Sequence, residues 1–164
     1  MLNKEELLNF LLKARTKTYA GGGGKVKAVF RGSKQLEYKE GSWFYRDVYY
    51  TGNGIFVGIE TIYYGTKPVF AMSYWGNFKG MTEKEIDKIL RKALLENWKN
   101  TRIWKRIEWK YNNYKYICEP DFKGSIEEMA GKERIFKKGK QVYSFFYRGG
   151  LLISLKKQNK KAKN

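Results

Sequence analysis

Nine short segments rich in β-branched and aromatic residues constrain the fold of this 164-residue chain most. Val, Ile, Thr, Tyr, Phe and Trp favour the pleated surface of a strand, whereas Gly, Asn and Ser favour turns. The intervening clusters RGS, EG, TGN and GT are mostly of hairpin length, and hairpins join antiparallel strands. The sequence therefore predicts a largely antiparallel sheet, with strands over residues 25–30, 34–39, 42–50, 54–64, 67–75, 106–111, 114–119, 131–138 and 140–148.

Two further segments have the 3.6-residue hydrophobic period of amphipathic helices. The first follows Asn3, a residue type that caps helices, and we expect it to run to about Arg15. The second follows Thr82, which stands three residues before Glu85 as in a capping box, and we expect it to end near Asn100. Each helix has one apolar face to bury, so the sequence predicts an α+β fold in which two helices cover one face of a strongly bent antiparallel sheet.

The two halves of the chain resemble each other at an offset of 73 residues. Residues 58–76 and 131–149 align without a gap, and seven of these nineteen positions are identical, including the glycines at both ends. Such self-similarity indicates repeated structural units. We therefore predict an internal duplication in which a helix followed by four strands occurs twice, over 2–80 and 81–154, within one domain spanning 1–154.

The stretch TYAGGGGK, residues 18–25, places four consecutive glycines after the first predicted helix. A phosphate-binding loop would instead precede a helix, where free N–H groups and the positive end of the helix dipole lie. The stretch also lacks the GxxxxGK[ST] pattern of a nucleotide site. We therefore expect Gly21 to cap the helix in a left-handed conformation and the other glycines to form the edge of a cleft.

Composition excludes several kinds of catalytic and metal site. The chain has no histidine and a single cysteine, Cys118, so it lacks a Ser-His or Cys-His nucleophile pair and the usual zinc ligands, and no metal or cofactor is expected. A lone cysteine forms no internal disulfide, which suits the cytoplasm, and no apolar run approaches the ~18 residues of a membrane span. An enzyme is therefore less expected than a binding protein, and acid–base chemistry by glutamates is the least favoured alternative.

The chain carries 34 basic and 16 acidic side chains, a formal net charge of +18. Such an excess either keeps a lysine-rich surface soluble or attracts a polyanion, and both interpretations are open. The tail over residues 155–164 has five lysines and no acid, and we expect it to be disordered. For nucleic acid, the candidate contacts are the aromatics Tyr45, Tyr49, Trp75 and Tyr114 and the basic residues Lys25, Lys27, Arg31, Lys105, Arg106, Lys156 and Lys157.

Two glutamates occupy equivalent places in the repeat, each in a G-x-E-x-I segment beside apolar neighbours. A carboxylate in such surroundings is costly unless it is paired or hydrogen-bonded. One interpretation is a structural glutamate bound to a tyrosine hydroxyl or to Arg46, Lys67 or Lys140. The other is a pair of carboxylates in an aromatic cleft at a pseudo-twofold axis, where they would receive a cationic ligand. The candidate residues of this cleft are Glu60, Glu133, Tyr74, Tyr147, Phe70, Tyr143 and Asp47.

Several stretches also mark a similarity to a known family. TYAGGGGK, LEY…YRD and the following GxE segment resemble the signature of a family of bacterial and archaeal domains of unknown function, which occur alone or behind helix-turn-helix domains. The resemblance covers about residues 8–151 and implies no established activity. A domain placed after a DNA-binding module implies an effector-binding role. The leading prediction is thus non-enzymatic binding of a small cationic or aromatic ligand, the alternative is nucleic-acid binding, and the oligomeric state is open.

Overall fold

The computed structural model of the protein describes residues 2–98, 105–121 and 125–154. Within these ranges it is an α+β fold with two α-helices and one antiparallel sheet, as the sequence predicts. The tail at 155–164, predicted to be disordered, lies outside the described residues. The elements in chain order are α1 (Lys4–Arg15), β1 (Lys25–Val26), β2 (Lys34–Glu40), β3 (Trp43–Gly52), β4 (Ile55–Tyr64), β5 (Lys67–Phe78), α2 (Glu83–Glu96), β6 (Ile107–Tyr111), β7 (Tyr114–Pro120), β8 (Glu128–Lys137) and β9 (Lys140–Leu151).

The sheet consists of two meanders that meet at their last strands. Its order is β1-β2-β3-β4-β5-β9-β8-β7-β6, so the hairpin-linked strands β2–β5 and β6–β9 join through β5 and β9. Strands β4 and β8 begin 73 residues apart, at 55 and 128, and so do β5 and β9, at 67 and 140. At the junction Tyr74 pairs with Tyr147, again 73 positions away. Apart from β1, the strand order is therefore symmetric about this pair.

The core lies between the two helices and one face of the sheet. Leu7 and Leu11 of α1 and Ile86 and Leu90 of α2 are at most 4% exposed, and they share one hydrophobic cluster with residues of the central strands such as Phe70. Alternate residues of a strand point to opposite faces, so every second residue of β5 and β9 joins this core. In the ranges that the structure describes, no helix is long and apolar enough to cross a lipid bilayer.

The helix starts agree with the sequence, and one helix end does not. The side chain of Asn3 accepts the N–H of Glu5 at 2.9 Å, and that of Thr82 accepts the N–H of Glu85 at 3.2 Å. The second helix ends at Glu96 rather than near residue 100. Asn97 has φ −118° and ψ 17° and closes the helix, because its N–H bonds back to carbonyls of the last turn.

The glycine stretch follows a different path from the predicted one. After α1 the chain continues in a π-helical turn, Thr16–Ala20, inside which Thr18 has the non-helical angles φ −101° and ψ −108°. The predicted left-handed cap at Gly21 is wrong, because this residue has φ −85°. Gly22, with φ 77°, and Gly24, with φ 74°, adopt the left-handed conformation instead. The first left-handed glycine after the helix is therefore Gly22 rather than Gly21.

The predicted strand over residues 25–30 is also shorter than expected. Only Lys25 and Val26 pair with β2. The N–H of Val29 donates to the side-chain oxygen of Gln35 at 3.0 Å, so the chain leaves the backbone of β2 after two residues. Val29 and Phe30 consequently stay more than half exposed, although their type is typical of a strand.

Candidate functional site

A pocket lies between the sheet and the first turns of α2. Its cavity volume is about 90 Å³, which is room for several water molecules at ~10–15 Å³ each, or for one small ligand group. Seven aromatic rings and three carboxylates form most of its wall, and we call it the aromatic–acidic pocket. These wall residues are Tyr19, Tyr49, Phe56, Tyr74, Phe78, Tyr143, Phe145, Asp47, Glu83 and Asp87.

The aromatic part of the wall comes from both halves of the sheet. Phe56 of β4 stacks on Tyr143 and Phe145 of β9, with ring centroids 5.8 Å and 6.0 Å away. Tyr74 of β5 stacks on Phe145 at 5.3 Å. The rings touch because β5 and β9 are neighbours in the sheet, so the junction of the two meanders provides the aromatic base of the pocket.

A buried hydrogen bond holds the carboxylate at this base. The hydroxyl of Tyr74 donates to Oδ1 of Asp47 at 2.6 Å, and the two residues are 9% and 5% exposed. The tyrosine ring reaches Asp47 by passing over Gly58 of β4, where a Cβ atom would lie 2.5 Å from the tyrosine hydroxyl oxygen. Gly131 stands in the same relation to Tyr147, also at 2.5 Å. The two glycines of the repeated G-x-E segment are therefore required by the tyrosines that cross them, a role that the sequence reasoning missed.

The two other carboxylates come from α2 and already have basic partners. Asp87 accepts the hydroxyl of Tyr19 at 2.9 Å and an N–H of Arg91 at 3.1 Å. Glu83 pairs with Lys34 at 3.1 Å across an exposed edge. The pair of Asp87 with Arg91 lies one turn along the helix, and the place of Asp87 in the wall of a pocket was not predicted from the sequence.

Burial and nearby carboxylates raise the pKa of two tyrosines in the wall of the pocket. The pKa of Tyr49 is raised to about 12, first by burial and then by the charges of Asp47, Asp87 and Glu83. The pKa of Tyr74 is raised well above its ordinary value, first by burial and then by Asp47. Both hydroxyls lose their protons less readily because another negative charge would add to those already present. Carboxylates in such a wall favour a positively charged group.

Glu60 lies beside this pocket, and its carboxylate is hydrogen-bonded to side chains of the protein. Its carboxylate accepts Nη2 of Arg15 at 2.6 Å and the hydroxyl of Tyr45 at 3.0 Å, and the residue is 2% exposed. The structural interpretation of Glu60 expected a tyrosine hydroxyl, and Tyr45 provides one. The positively charged partner, however, is Arg15 of α1 rather than Arg46, Lys67 or Lys140. With Arg15 and Tyr19, Glu60 lines a second, smaller pocket.

The remaining candidates belong to the core. Glu133 and Phe70 are 0% exposed, and Tyr147 is 4% exposed. Glu60 and Glu133 lie on β4 and β8, which are separated by β5 and β9, so three strand spacings put them ~14 Å apart along the sheet. Glu60 lines the smaller pocket beside Arg15, whose lining does not include Glu133. The structure brings together Asp47, Tyr74 and Tyr143 of the predicted set.

The aromatics predicted to contact nucleic acid are mostly covered. Tyr45 is fully buried, Tyr49 stands in the wall of the aromatic–acidic pocket, and the hydroxyl of Tyr114 donates to Glu85. The hydroxyls of Tyr45 and Tyr114 find carboxylate partners within the protein, which the alternation of polar and apolar residues does not show. Trp75, in contrast, is 41% exposed.

The predicted basic contacts fall at two opposite edges of the sheet. Lys25, Lys27 and Arg31 are exposed at or after β1, whereas Lys105 and Arg106 are exposed just before β6. Eight strand spacings separate these edges, ~38 Å along the sheet, so the two groups do not form one patch there. The last two candidates, Lys156 and Lys157, lie outside the described residues. Among the residues that the structure does describe, no three His, Cys, Asp or Glu side chains are grouped as a metal ion requires.

Fold and site together define an α+β domain with an aromatic–acidic pocket between a helix and an antiparallel sheet. The chain belongs to the family described as Domain of unknown function (DUF5680), whose model matches residues 47–152, more than half of its length. This confirms the expectation of a family of unknown function. The matched range contains Asp47, Tyr74 and Tyr143, whereas α1 and the glycine stretch precede it. Neither a curated protein nor a solved structure matches the chain.

Proposed function

We propose that the protein binds a small cationic ligand in the aromatic–acidic pocket and does not transform it. The observation that carries this proposal is the buried carboxylate of Asp47, which is held by Tyr74 at the base of a ring-lined cavity. Aromatic faces attract cations, by about 2 kcal/mol or more where water is excluded. A carboxylate in such a place adds a charge interaction that is stronger than it would be in water.

The wall favours a ligand whose positively charged group lies next to the carboxylate of Asp47. This carboxylate is 5% exposed, whereas the side chain of Glu83 is 57% exposed and is paired with Lys34. Attraction at Glu83 is therefore weakened by solvent and by its partner. A volume of about 90 Å³ suits a methylated ammonium or amidinium group whose apolar substituents contact Phe56 and Tyr143.

Calorimetry with matched cations and neutral analogues tests this proposal. Tetramethylammonium and benzamidine should bind, and the uncharged analogues neopentyl alcohol and benzamide should bind at least about tenfold more weakly, a difference of ~1.4 kcal/mol. Asp47→Asn should abolish this preference with little loss of stability, because the amide oxygen still accepts the Tyr74 hydroxyl. Glu128→Gln is the control, since this glutamate is exposed and lies outside the pocket wall. Equal binding of the charged and neutral compounds would reject the proposal.

We also infer that the two meanders derive from one duplicated unit. The symmetric strand order, the common 73-residue offset of β4/β8 and β5/β9, and the two glycines crossed by Tyr74 and Tyr147 support this inference. We infer in addition that the sheet is strongly bent, since neighbouring strands rotate by about 20–25° and nine strands accumulate that rotation. A cytoplasmic location stays a prediction, supported by the single buried Cys118.

A further inference from the structure

The sheet face opposite the helices, which we call the open face, carries exposed apolar side chains. They come from strands β3, β4, β5 and β9, where they alternate with residues of the core. Each is between 41% and 46% exposed. Exposed apolar groups that lie together are typical of an interaction site. These residues are Tyr50, Val57, Ile59, Trp75 and Phe146.

Two aromatic rings stand side by side at the centre of the open face. Trp75 of β5 and Phe146 of β9 are direct partners in the sheet register, and their ring centroids are 5.9 Å apart. The pair lies next to the Tyr74–Tyr147 junction but on the other side of the sheet from the aromatic–acidic pocket. Exposed rings on a sheet offer flat faces on which nucleic-acid bases stack, whatever their sequence.

Basic side chains lie next to this ring pair and at the β1 edge of the sheet. Arg148 follows Phe146 by two residues on the same face, and its side chain is 72% exposed. Its ion pair with Glu128, itself 63% exposed, is a surface pair of little energetic value, so Arg148 is available to a stronger anionic partner. At the β1 edge, four strand spacings from Trp75, Lys27 and Arg31 are exposed next to the segment that contains Val29 and Phe30.

That segment continues the open face as a groove. Val29 and Phe30 face Tyr50, Val57 and Ile59 across it. Arg46 contributes to the same wall, with its guanidinium 5.1 Å from the ring centroid of Phe44. Aromatic and apolar contacts thus run from the centre of the sheet to a basic edge, as a chain of bases linked by phosphates requires.

We propose that the open face binds single-stranded nucleic acid, with bases stacked on Trp75 and Phe146 and phosphates near Arg148, Lys27 and Arg31. The formal charge of +18 opposes the packing of a second copy on this face and attracts a polyanion. A single strand fits better than a duplex, because a duplex hides the faces of its bases. The site is independent of the aromatic–acidic pocket, which lies on the helix side.

Fluorescence anisotropy with labelled oligo(dT) and oligo(U) of about 15 nucleotides tests the proposal on the full chain. The double variant Trp75→Ala/Phe146→Ala should weaken binding by about tenfold or more, within the range expected for lost stacking. The aromatic variant Trp75→Phe/Phe146→Tyr should retain binding, which separates stacking from misfolding. Trp98→Ala is the matched control, since Trp98 is 39% exposed on the helix side.

The salt dependence of binding tests the phosphate contacts. Arg148→Gln should reduce the slope of log affinity against log salt by about 0.7, the contribution of one single-strand phosphate, while Lys88→Gln on α2 should leave it unchanged. Unchanged affinity in the alanine double variant, or equal affinity for a duplex of the same length, would show that charge alone binds the oligonucleotide and would overturn the proposal. So would preference of the open face for an acidic protein in competition with oligo(dT).

Discussion

Arg15 of α1 donates two hydrogen bonds to Oε2 of Glu60 on β4, through Nη2 at 2.6 Å and Nε at 3.1 Å. The side chains are 11% and 3% exposed, so the ion pair is withdrawn from solvent. Tyr45 donates to the second carboxylate oxygen and completes the group. This contact connects the first helix to the centre of the first meander, and it accounts for a glutamate in an otherwise apolar place.

Glu60→Gln should therefore destabilise the protein by about 3–5 kcal/mol, because it leaves the Arg15 charge buried without a counter-charge. Urea unfolding measures this loss, and cation binding by the folded variant should be unchanged. Glu127→Gln removes the exposed pair with Lys4 and should cost less than ~1 kcal/mol. A similar small cost for both variants would contradict the structural role of Glu60.

Gly58→Ala should disturb the site through Tyr74. The added Cβ would lie 2.5 Å from the tyrosine hydroxyl oxygen and 2.6 Å from Cζ, so the ring must move and release Asp47. We expect a loss of ~1–3 kcal/mol, as overpacking typically causes, together with weaker cation binding in calorimetry. Gly52→Ala, also in a strand but with open space around the new atom, should change stability by less than ~0.5 kcal/mol. Equal effects of the two substitutions would show that Tyr74 adapts without cost.

Tyr49 should make the protein less stable in strong alkali. Its folded pKa of about 12 exceeds the ordinary value of 10, so between these limits the unfolded chain releases a proton that the folded protein retains. The free energy of unfolding should consequently fall as the pH rises from about 10 to 12. Tyr49→Phe should flatten this fall. Asp47→Asn, which keeps Tyr49, should end the fall at a lower pH, because one of the charges that raise the pKa of Tyr49 is removed. Urea unfolding over this pH range provides the measurement, and superimposable profiles would contradict the assignment.

Gly22→Ala should cost more than Gly32→Ala, although both residues have nearly the same left-handed φ, 77° and 79°. Each substitution carries a backbone strain of ~1–2 kcal/mol. At Gly22 the new Cβ would also lie 2.7 Å from Nη1 of Arg91, whereas at Gly32 it meets open space. The displaced arginine would leave the ring of Tyr19, now 5.1 Å away, and weaken its pair with Asp87. Thermal unfolding of the two variants compares them, and equal melting temperatures would exclude the Arg91 contact as a source of stability.

The strands and helix starts were predictable from sequence because their signals are local. Alternation with a period of two, turn residues at hairpin spacing and capping residues act over a few positions, and the α+β antiparallel fold predicted from them is confirmed. The exceptions have local causes too, as in the side chain of Gln35 that accepts the N–H of Val29. The count of histidines, which is zero, is likewise read directly from the sequence.

The site depended on contacts between distant parts of the chain. Asp47, Tyr74 and Tyr143 belong together because β5 lies beside β9, and the same strand order keeps Glu60 and Glu133 apart. A carboxylate in an apolar segment signals that a partner exists, but the sequence does not identify it. Residue type and local spacing thus determined the elements and the excluded chemistry of this protein. Only the tertiary structure decided which charges meet, because pairing across dozens of residues is set by packing rather than by position in the chain.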